Sequence, residues 1–172
     1  MHDHISPEAQ RIGRYMAENC PKGLPEHFDT ELVDAFPDLE ARAIKLALAE
    51  LEAEGFVTLS HAINRTIPSA RATYALFVAC DPAITGHDPI EDSVVLARLL
   101  IDDPDLCGRA SRLEQTVGWA RRRFNPAFAQ LIPLIPKGRV RKAIQDEYPR
   151  IGMVLTDEDI VQLQRYVRTH AR

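Results

Sequence analysis

The hydrophobic positions of this chain fall into helical stripes that end at proline and glycine turns. Ser6-Pro7 suits the start of a helix, because serine caps the helix end and proline fits its first turn. Apolar residues then recur at spacings of three and four, up to a proline- and glycine-rich break. A short helix over 31–36 and a longer helix ending at Gly55 are expected next, with Thr30 and Asp38 as their caps.

The pattern changes from helical spacing to strand spacing after Gly55. Residues 56–59 have the composition of a strand, and a second strand is expected near residues 71–79. A polar loop over residues 61–69 separates the two, and a turn-rich junction is expected over residues 81–86. The first half therefore predicts three helices followed by a two-stranded hairpin.

The second half repeats this order. Its expected elements are a helix over residues 89–102, a short helix containing Leu113 and Val117, a turn at Gly118-Trp119, an apolar helix with residues 124–135, strands over residues 140–144 and 151–155, and a helix that Thr156 caps and that extends to about His170. When the halves are aligned on Gly55 and Gly138, leucines coincide at two positions, which supports a weak internal repeat.

Two segments of the first half, ELVDAFPD and LAELEAEGFVTL, resemble the second helix and the helix-to-wing junction of the winged-helix superfamily. With the repeated order of elements, this resemblance implies a mainly α fold with small β-hairpins, of the α+β class. It implies two tandem winged helix-turn-helix domains, over residues 1–82 and 83–172.

Charge distinguishes the two halves. The chain carries a net charge of −4, yet residues 109–142 contain nine basic residues and one acidic residue. Residues 1–82 contain seven basic and thirteen acidic residues, whereas residues 83–172 contain fourteen and twelve. A local concentration of positive charge is typical of a surface that binds phosphate groups, so the second half is the expected nucleic-acid-binding half.

The resemblance assigns a role in DNA binding to each basic segment. Arg122 would point away from the core at the start of the recognition helix, where arginine pairs with guanine and amides pair with adenine. The wing residues and the arginines of the preceding helix would contact phosphates without reading sequence. The expected DNA-binding residues are Arg109, Arg112, Arg121, Arg122, Arg123, Asn125, Gln130, Lys137, Arg139, Arg141 and Lys142.

Pro126 leaves the start of this helix open. Either the helix starts near Ala120 and kinks at the proline, or it starts at Asn125 with the arginines in the preceding turn. Both alternatives place the three consecutive arginines at or before the N-terminal end. A solvated basic helix face without a ligand also explains them.

The longer helix of the first half carries apolar residues on the side opposite its core face. A face of leucine and alanine with one glutamate favours contact with another protein surface over contact with phosphate. Self-association or packing on the second half is therefore expected, although an alanine-rich face with no partner remains an alternative. The expected partner-binding residues are Leu39, Ala43, Leu46, Glu50 and Ala53.

Motifs of catalysis, of cofactor binding and of membrane insertion are not found in the sequence. It has no phosphate-binding glycine loop, no zinc-protease motif and no serine-hydrolase motif, so neither an enzyme nor a cofactor is expected. Cys20, Cys80 and Cys107 form no CxxC pair, which favours buried thiols in a cytoplasmic protein over a metal site. No apolar run has the length of about 18 residues that a membrane span needs.

These patterns predict a cytoplasmic, dimeric, sequence-specific protein that binds double-stranded DNA. A transcriptional regulator is the leading expectation, and a plasmid or phage replication or partition factor is compatible. The alternative from another class is a tandem winged-helix scaffold that uses both halves for protein contacts. A third, weaker alternative is a regulator that senses a small molecule between the halves, although no residue indicates a ligand.

Overall fold

The computed structural model describes residues 4–62, 65–141 and 147–171. Within them the chain is mainly helical and has two small antiparallel sheets, which confirms the expected α+β class. Backbone contacts divide the chain into two compact units. The first comprises Met1–Pro21 and Pro25–Ile84, and the second comprises Lys22–Leu24 and Thr85–Arg172.

The first unit contains four helices and a three-stranded sheet among its described residues. In chain order the elements are α1 (Pro7–Glu18), β1 (His27–Phe28), α2 (Glu31–Ala35), α3 (Ala41–Ala53), β2 (Val57–Ser60), β3 (Ser69–Ala72) and α4 (Tyr74–Ile84). The strand order is β1-β3-β2, and both pairings are antiparallel. Helices α1, α3 and α4 enclose one hydrophobic core, to which the sheet also contributes.

Three of the expected helix boundaries in this unit are confirmed and one is wrong. The Ser6 hydroxyl accepts a hydrogen bond from the Ala9 amide at 3.2 Å, and Gly55 follows α3 with a φ of 74°. Thr30 occupies the N-cap position of α2, although its side chain makes no capping hydrogen bond. Asp38 is not the cap of α3, because its carboxylate pairs with Arg11 at 2.8 Å, outside the helix.

The expected second strand of the hairpin is confirmed, but its bounds near residues 71–79 are wrong, because β3 is Ser69–Ala72 and α4 begins at Tyr74. The last pair of the hairpin joins Ala72 to Val57, the first residue of β2, so a longer β3 would have no partner there. The apolar residues that follow are buried instead through a helix, which brings Phe77 into the core. This helix continues to Ile84, through the expected turn.

Glu50 links α3 to the start of α1. Its Oε2 accepts a hydrogen bond from the Ser6 backbone amide at 2.8 Å, and this bond lowers the pKa of the Glu50 carboxyl below its ordinary value. Hydrogen bonding to the charged form is the cause of the lower pKa. The contact therefore stabilises the fold above the unfolded-state pKa of about 4.3, and the stabilisation is lost as the pH falls through the folded-state value.

We expect Glu50→Gln to make the melting temperature less dependent on pH. An amide oxygen still accepts the Ser6 hydrogen bond but does not titrate, so the variant lacks this part of the acid-induced loss of stability. Thermal unfolding followed by circular dichroism between about pH 5 and pH 3 measures the effect. Glu31→Gln, at an exposed glutamate of α2, is the control. Parallel pH curves for the parent and Glu50→Gln would contradict the assigned role.

The second unit contains four helices and a two-stranded sheet among its described residues. Its elements are α5 (Pro89–Asp102), a 3₁₀ turn (Pro104–Gly108), α6 (Ala110–Val117), α7 (Arg121–Leu131), two short 3₁₀ turns (Ile132–Leu134 and Lys137–Arg139), β4 (Val140–Arg141), β5 (Gly152–Met153) and α8 (Asp157–His170). Helices α5, α7 and α8 pack around a second hydrophobic core.

The structure decides between the two expected starts of the helix that contains Pro126. Helix α7 begins at Arg121 and continues through Pro126 to Leu131. Gly118 precedes it with a φ of 69°, a backbone conformation that favours glycine at the end of α6. The expected cap of the last helix is confirmed, because Thr156 and Asp159 form a reciprocal capping box.

In the second unit, as in the first, a third segment of chain hydrogen-bonds to the second strand of the hairpin. The Ala110 amide, at the start of α6, donates a hydrogen bond to the Ile151 carbonyl at 2.6 Å. On the other side of this segment, Ile151 donates to the Arg141 carbonyl at 3.2 Å, and Gly152 pairs with Arg141. The segment at β5 therefore lies between β4 and the start of α6, just as β3 lies between β2 and β1.

Candidate nucleic-acid interface

Helix α7 is almost wholly buried. Every residue from Phe124 to Ala129 is buried, whereas Arg121, Arg122 and Arg123 are partly exposed. The rings of Phe124 and Phe128 stack with their centroids 5.3 Å apart inside the core. Access to this helix is therefore concentrated at its N-terminal turn.

Residues Lys22–Leu24 contact the side of α7 that was expected to face DNA. The Asn125 amide donates hydrogen bonds to the Lys22 carbonyl at 2.8 Å and to the Glu147 carbonyl at 3.0 Å. Gly23 lies so close that an added Cβ would stand 2.7 Å from Pro126 Cδ and 2.8 Å from the Arg122 carbonyl oxygen. The segment thus lies against the first turn of α7, between Arg122 and Pro126.

The expectation that Asn125 faces a base is therefore wrong. Its side chain is fully buried, and both amide hydrogens serve backbone carbonyls. Gln130 is half-buried and donates to the Pro126 carbonyl of its own helix at 3.2 Å. Neither amide is presented to solvent in the way that pairing with an adenine edge requires.

Arg121 is held by two carboxylates of the same unit. Its Nε lies 3.4 Å from Glu114 Oε1, its Nη1 pairs with Glu147, and its guanidinium lies 5.2 Å from the centre of the Tyr148 ring. The Tyr148 hydroxyl donates to Glu114 at 2.5 Å. Burial of the hydroxyl, and to a lesser extent its hydrogen bond to Glu114, raises the pKa of Tyr148 above its ordinary value. Lys22 approaches Glu147 within 2.8 Å and completes the network.

Arg123 is fixed on the other side of the same turn. Its Nε and Nη2 donate to the two oxygens of Asp92 at 2.8 and 2.6 Å, which is the bidentate geometry of a strong ion pair. The hydrogen bonds to Asp92 raise the pKa of Arg123 above its ordinary value. The guanidinium also lies 3.9 Å from the centre of the Trp119 ring. The carboxylate and the ring together fix its orientation.

Arg139 supports the last helix. Its Nη2 lies 2.8 Å from Asp159 Oδ1 and its Nη1 donates to the Thr156 hydroxyl at 3.1 Å, so it binds both members of the capping box of α8. Asp159 is buried, which makes this contact part of the packing of the unit. Arg121, Arg123 and Arg139 thus make ion pairs within the unit, which compete with any contact to phosphate, and their role in DNA binding stays a prediction.

Four of the expected basic residues are exposed and make no ion pair with the residues that the structure describes: Arg109, Arg112, Lys137 and Arg141. Arg109 and Arg141 lie on opposite sides of the segment at β5. On one side Ala110, the neighbour of Arg109, donates to the Ile151 carbonyl, and on the other side Ile151 donates to the Arg141 carbonyl. Arg112 follows in the first turn of α6. We call Arg109, Arg112 and Arg141 the hairpin cluster. Lys142 lies outside the described residues.

The exposed arginines of the hairpin cluster are the described side chains best placed to bind a polyanion. No family model matches the chain, and neither a curated protein nor a solved structure is significantly similar to it. No group of three metal-binding side chains is close enough to hold an ion among the residues that were described. The helices of the described parts are too short or too polar to cross a bilayer.

The outer face of α3 divides into exposed and structural positions. Leu46 is 59% exposed, more than any other large apolar residue in the described chain, and Ala53 is also exposed. Ala43 and Leu39 are half-buried, and Leu39 packs against the first core. Glu50 serves α1, as described above. Leu46 and Ala53 therefore remain available to a partner.

The sequence patterns missed the two features that limit the basic surface. Residues Lys22–Leu24 were expected to form a simple break in the chain, although the closely spaced Pro21, Gly23 and Pro25 indicate a constrained segment. Asp92 lies in the first turn of α5, where an acidic residue is common. No local pattern pairs it with Arg123, which is 31 positions away.

Proposed function

We propose that the chain binds double-stranded DNA through backbone phosphates contacted by its second unit. The observation that carries the proposal is the hairpin cluster, three exposed arginines brought to one strand segment and its neighbours. Positive side chains that contact phosphate position a protein on the duplex but carry no sequence information. Lys137, in the turn before β4, supplies a fourth exposed cation.

The order of elements supports a winged-helix interpretation of both units. In each unit, three helices precede an antiparallel hairpin, and the segment before the second of these helices lies beside the second hairpin strand. In such an arrangement the hairpin and the start of the third helix approach DNA together. The N-terminal turn of α7 is the part of that helix left accessible, which fits contact with the backbone.

Sequence-specific recognition is a narrower part of this proposal. Arg122 is the candidate for base contact, because it lies in the N-terminal turn of α7, the end that a recognition helix presents to the major groove. A transcriptional regulator and a replication or partition factor both fit a protein of this kind. Selection of bound sites from random DNA would reveal whether a preferred sequence exists.

Binding to duplex DNA is expected to weaken steeply with salt. Four phosphate contacts predict that log affinity falls with log salt at a slope of about −4, since each contact contributes about −0.9. Fluorescence anisotropy of a labelled 30-base-pair duplex (about three helical turns) between about 50 and 200 mM salt measures the slope. Absence of binding to any duplex at 50 mM salt would leave the proposal without support.

A second candidate function is a scaffold that holds other proteins. Exposed Leu46 on α3 favours it, since an apolar surface does not suit contact with phosphate. A scaffold requires no DNA affinity, so the salt titration separates the two functions. Replacing Leu46 by aspartate would then disrupt assembly without changing the DNA result.

A further inference from the structure

Helix α3 presents to solvent one face that combines an apolar centre with charged side chains. Leu46 is 59% exposed, more than any other large apolar residue of the described chain, and it lies near the middle of this face. Arg42, Ala49 and Ala53 are also exposed, and they share the side of Leu46 because spacings of three and four keep residues on one side of a helix. The apolar centre of the face is therefore open to solvent.

The charges of this face are divided along its length. Arg42 and Lys45 stand in its first half and Glu52 stands in its second half, and all three side chains are exposed. No carboxylate in the described part of the chain pairs with either cation. The Glu52 Oε1 accepts a hydrogen bond from the Leu59 amide at 2.9 Å, which holds this carboxylate at the edge of the face. The face is thus positive at its start, apolar at its centre and negative at its end.

This order of charges is complementary to its own reverse. Lys45 and Glu52 are seven positions apart, so they lie on the same edge of the face, two turns from each other. A two-fold axis that sets a second α3 antiparallel to the first keeps the matching edges together and exchanges the two ends. Lys45 of each copy then meets Glu52 of the other copy, and Leu46 packs near Ala49 of the other copy. Alanine at the contact lets the two helices approach closely.

We propose that the exposed face of α3 is the two-fold contact of a homodimer, occupied by α3 of a second copy of this chain. Phosphate suits the face poorly, because Glu52 lies beside its cations and Leu46 lies at its centre. Of the partner-binding residues indicated by the sequence, Leu46 and Ala53 belong to this contact, whereas Glu50 serves the start of α1. The contact belongs to the first unit, so the inference does not rest on the proposed DNA binding of the second unit.

The size of the contact predicts a weak and reversible dimer. Helix α3 has 13 residues and is about 20 Å long. One pair of such helices gives an interface at the small end of the range for specific complexes. Sedimentation velocity of the full chain between about 1 μM and about 1 mM covers the affinities of weak interfaces. We expect the sedimentation coefficient to rise with concentration from that of one chain to that of two.

Leu46→Asp is expected to raise the dissociation constant of the dimer by about ten-fold or more, because the two-fold axis brings two new carboxylates together at the centre of the contact. Val161→Asp is the matched control, since it adds the same charge at another exposed apolar position, on α8. The control should keep the dissociation constant of the parent chain. Thermal melting followed by circular dichroism verifies that both variants fold.

Charge reversals at the edge of the face test the orientation of the two copies. Lys45→Glu and Glu52→Lys are each expected to weaken the dimer by about ten-fold, because each sets like charges opposite one another in an antiparallel pair. The double variant restores both ion pairs with their signs exchanged, and a mixture of the two single variants forms the same pairs in a heterodimer. Recovery in the double variant separates the ion pairs from the hydrogen bond to Leu59 that Glu52→Lys removes.

Three results would overturn the inference. They are a chain that stays monomeric up to about 1 mM, equal weakening of the dimer by Leu46→Asp and Val161→Asp, and single charge reversals that have no effect or that the double variant does not rescue. Loss of duplex affinity in Lys45→Glu without self-association of the parent chain would assign the face to DNA instead. Duplex binding at the hairpin cluster is measured separately by anisotropy, so failure of either experiment leaves the other one informative.

Discussion

Replacing Arg109, Arg112 and Arg141 together by alanine is expected to lower the affinity for duplex DNA by about 10²- to 10³-fold at about 0.1 M salt. Each lost phosphate contact removes about 0.9 from the salt slope, so the slope should become shallower by about 3. The loss should be equal for every DNA sequence, because phosphate contacts do not distinguish bases. Anisotropy with two unrelated duplexes measures both quantities.

A matched control distinguishes the position of these charges from their number. Arg98 on α5 and Arg165 and Arg168 on α8 are exposed arginines of the same unit. Their triple alanine variant changes the net charge by the same amount and should retain most of the affinity and most of the slope. An equal loss in both triple variants would show that net charge, and not the hairpin cluster, governs binding.

Gly23→Ala is expected to destabilise the protein by about 2–5 kcal/mol. Gly23 has a φ of 64°, a left-handed conformation that costs a residue with a Cβ about 1–2 kcal/mol. The new methyl group would also overlap the Pro126 ring and the Arg122 carbonyl, and overpacking adds about 1–3 kcal/mol. Backbone and a proline ring cannot move aside as a flexible side chain would.

Urea unfolding followed by circular dichroism measures this loss. Gly86→Ala is the control, because Gly86 has a φ of 73° but nothing lies within 4 Å of its added Cβ. The control should show the cost of the backbone conformation alone, about 1–2 kcal/mol. Equal destabilisation by the two variants would mean that Lys22–Leu24 does not press against α7 in solution.

The two variants examine opposite aspects of the second unit. The arginine triple removes charge from an exposed surface, where substitutions change stability little. Gly23→Ala disturbs packing on a buried helix and leaves every charge in place. A protein that loses DNA binding only in the first variant and stability only in the second would agree with the division between the hairpin cluster and α7.

Local sequence determined the parts of this fold whose causes are local. Ser6 and Thr156 stand at helix starts with their oxygens on first-turn amides, and Gly55 stands where the chain must turn left-handed. Each capping contact joins residues only three positions apart, and the left-handed turn depends on Gly55 alone. Apolar spacing therefore indicated most of the helices, and it failed over residues 74–79, where the absence of a strand partner decided for a helix.

The run of positive charge was evident in the sequence, but its availability depended on the tertiary structure. Arg121, Arg123 and Arg139 meet Glu147, Asp92 and Asp159, carboxylates that are 20 or more positions away along the chain. The pairing depends on which elements pack side by side, and no local pattern records that. The sequence determined how much positive charge the second unit carries, whereas folding decided which arginines bind within the protein and which face solvent.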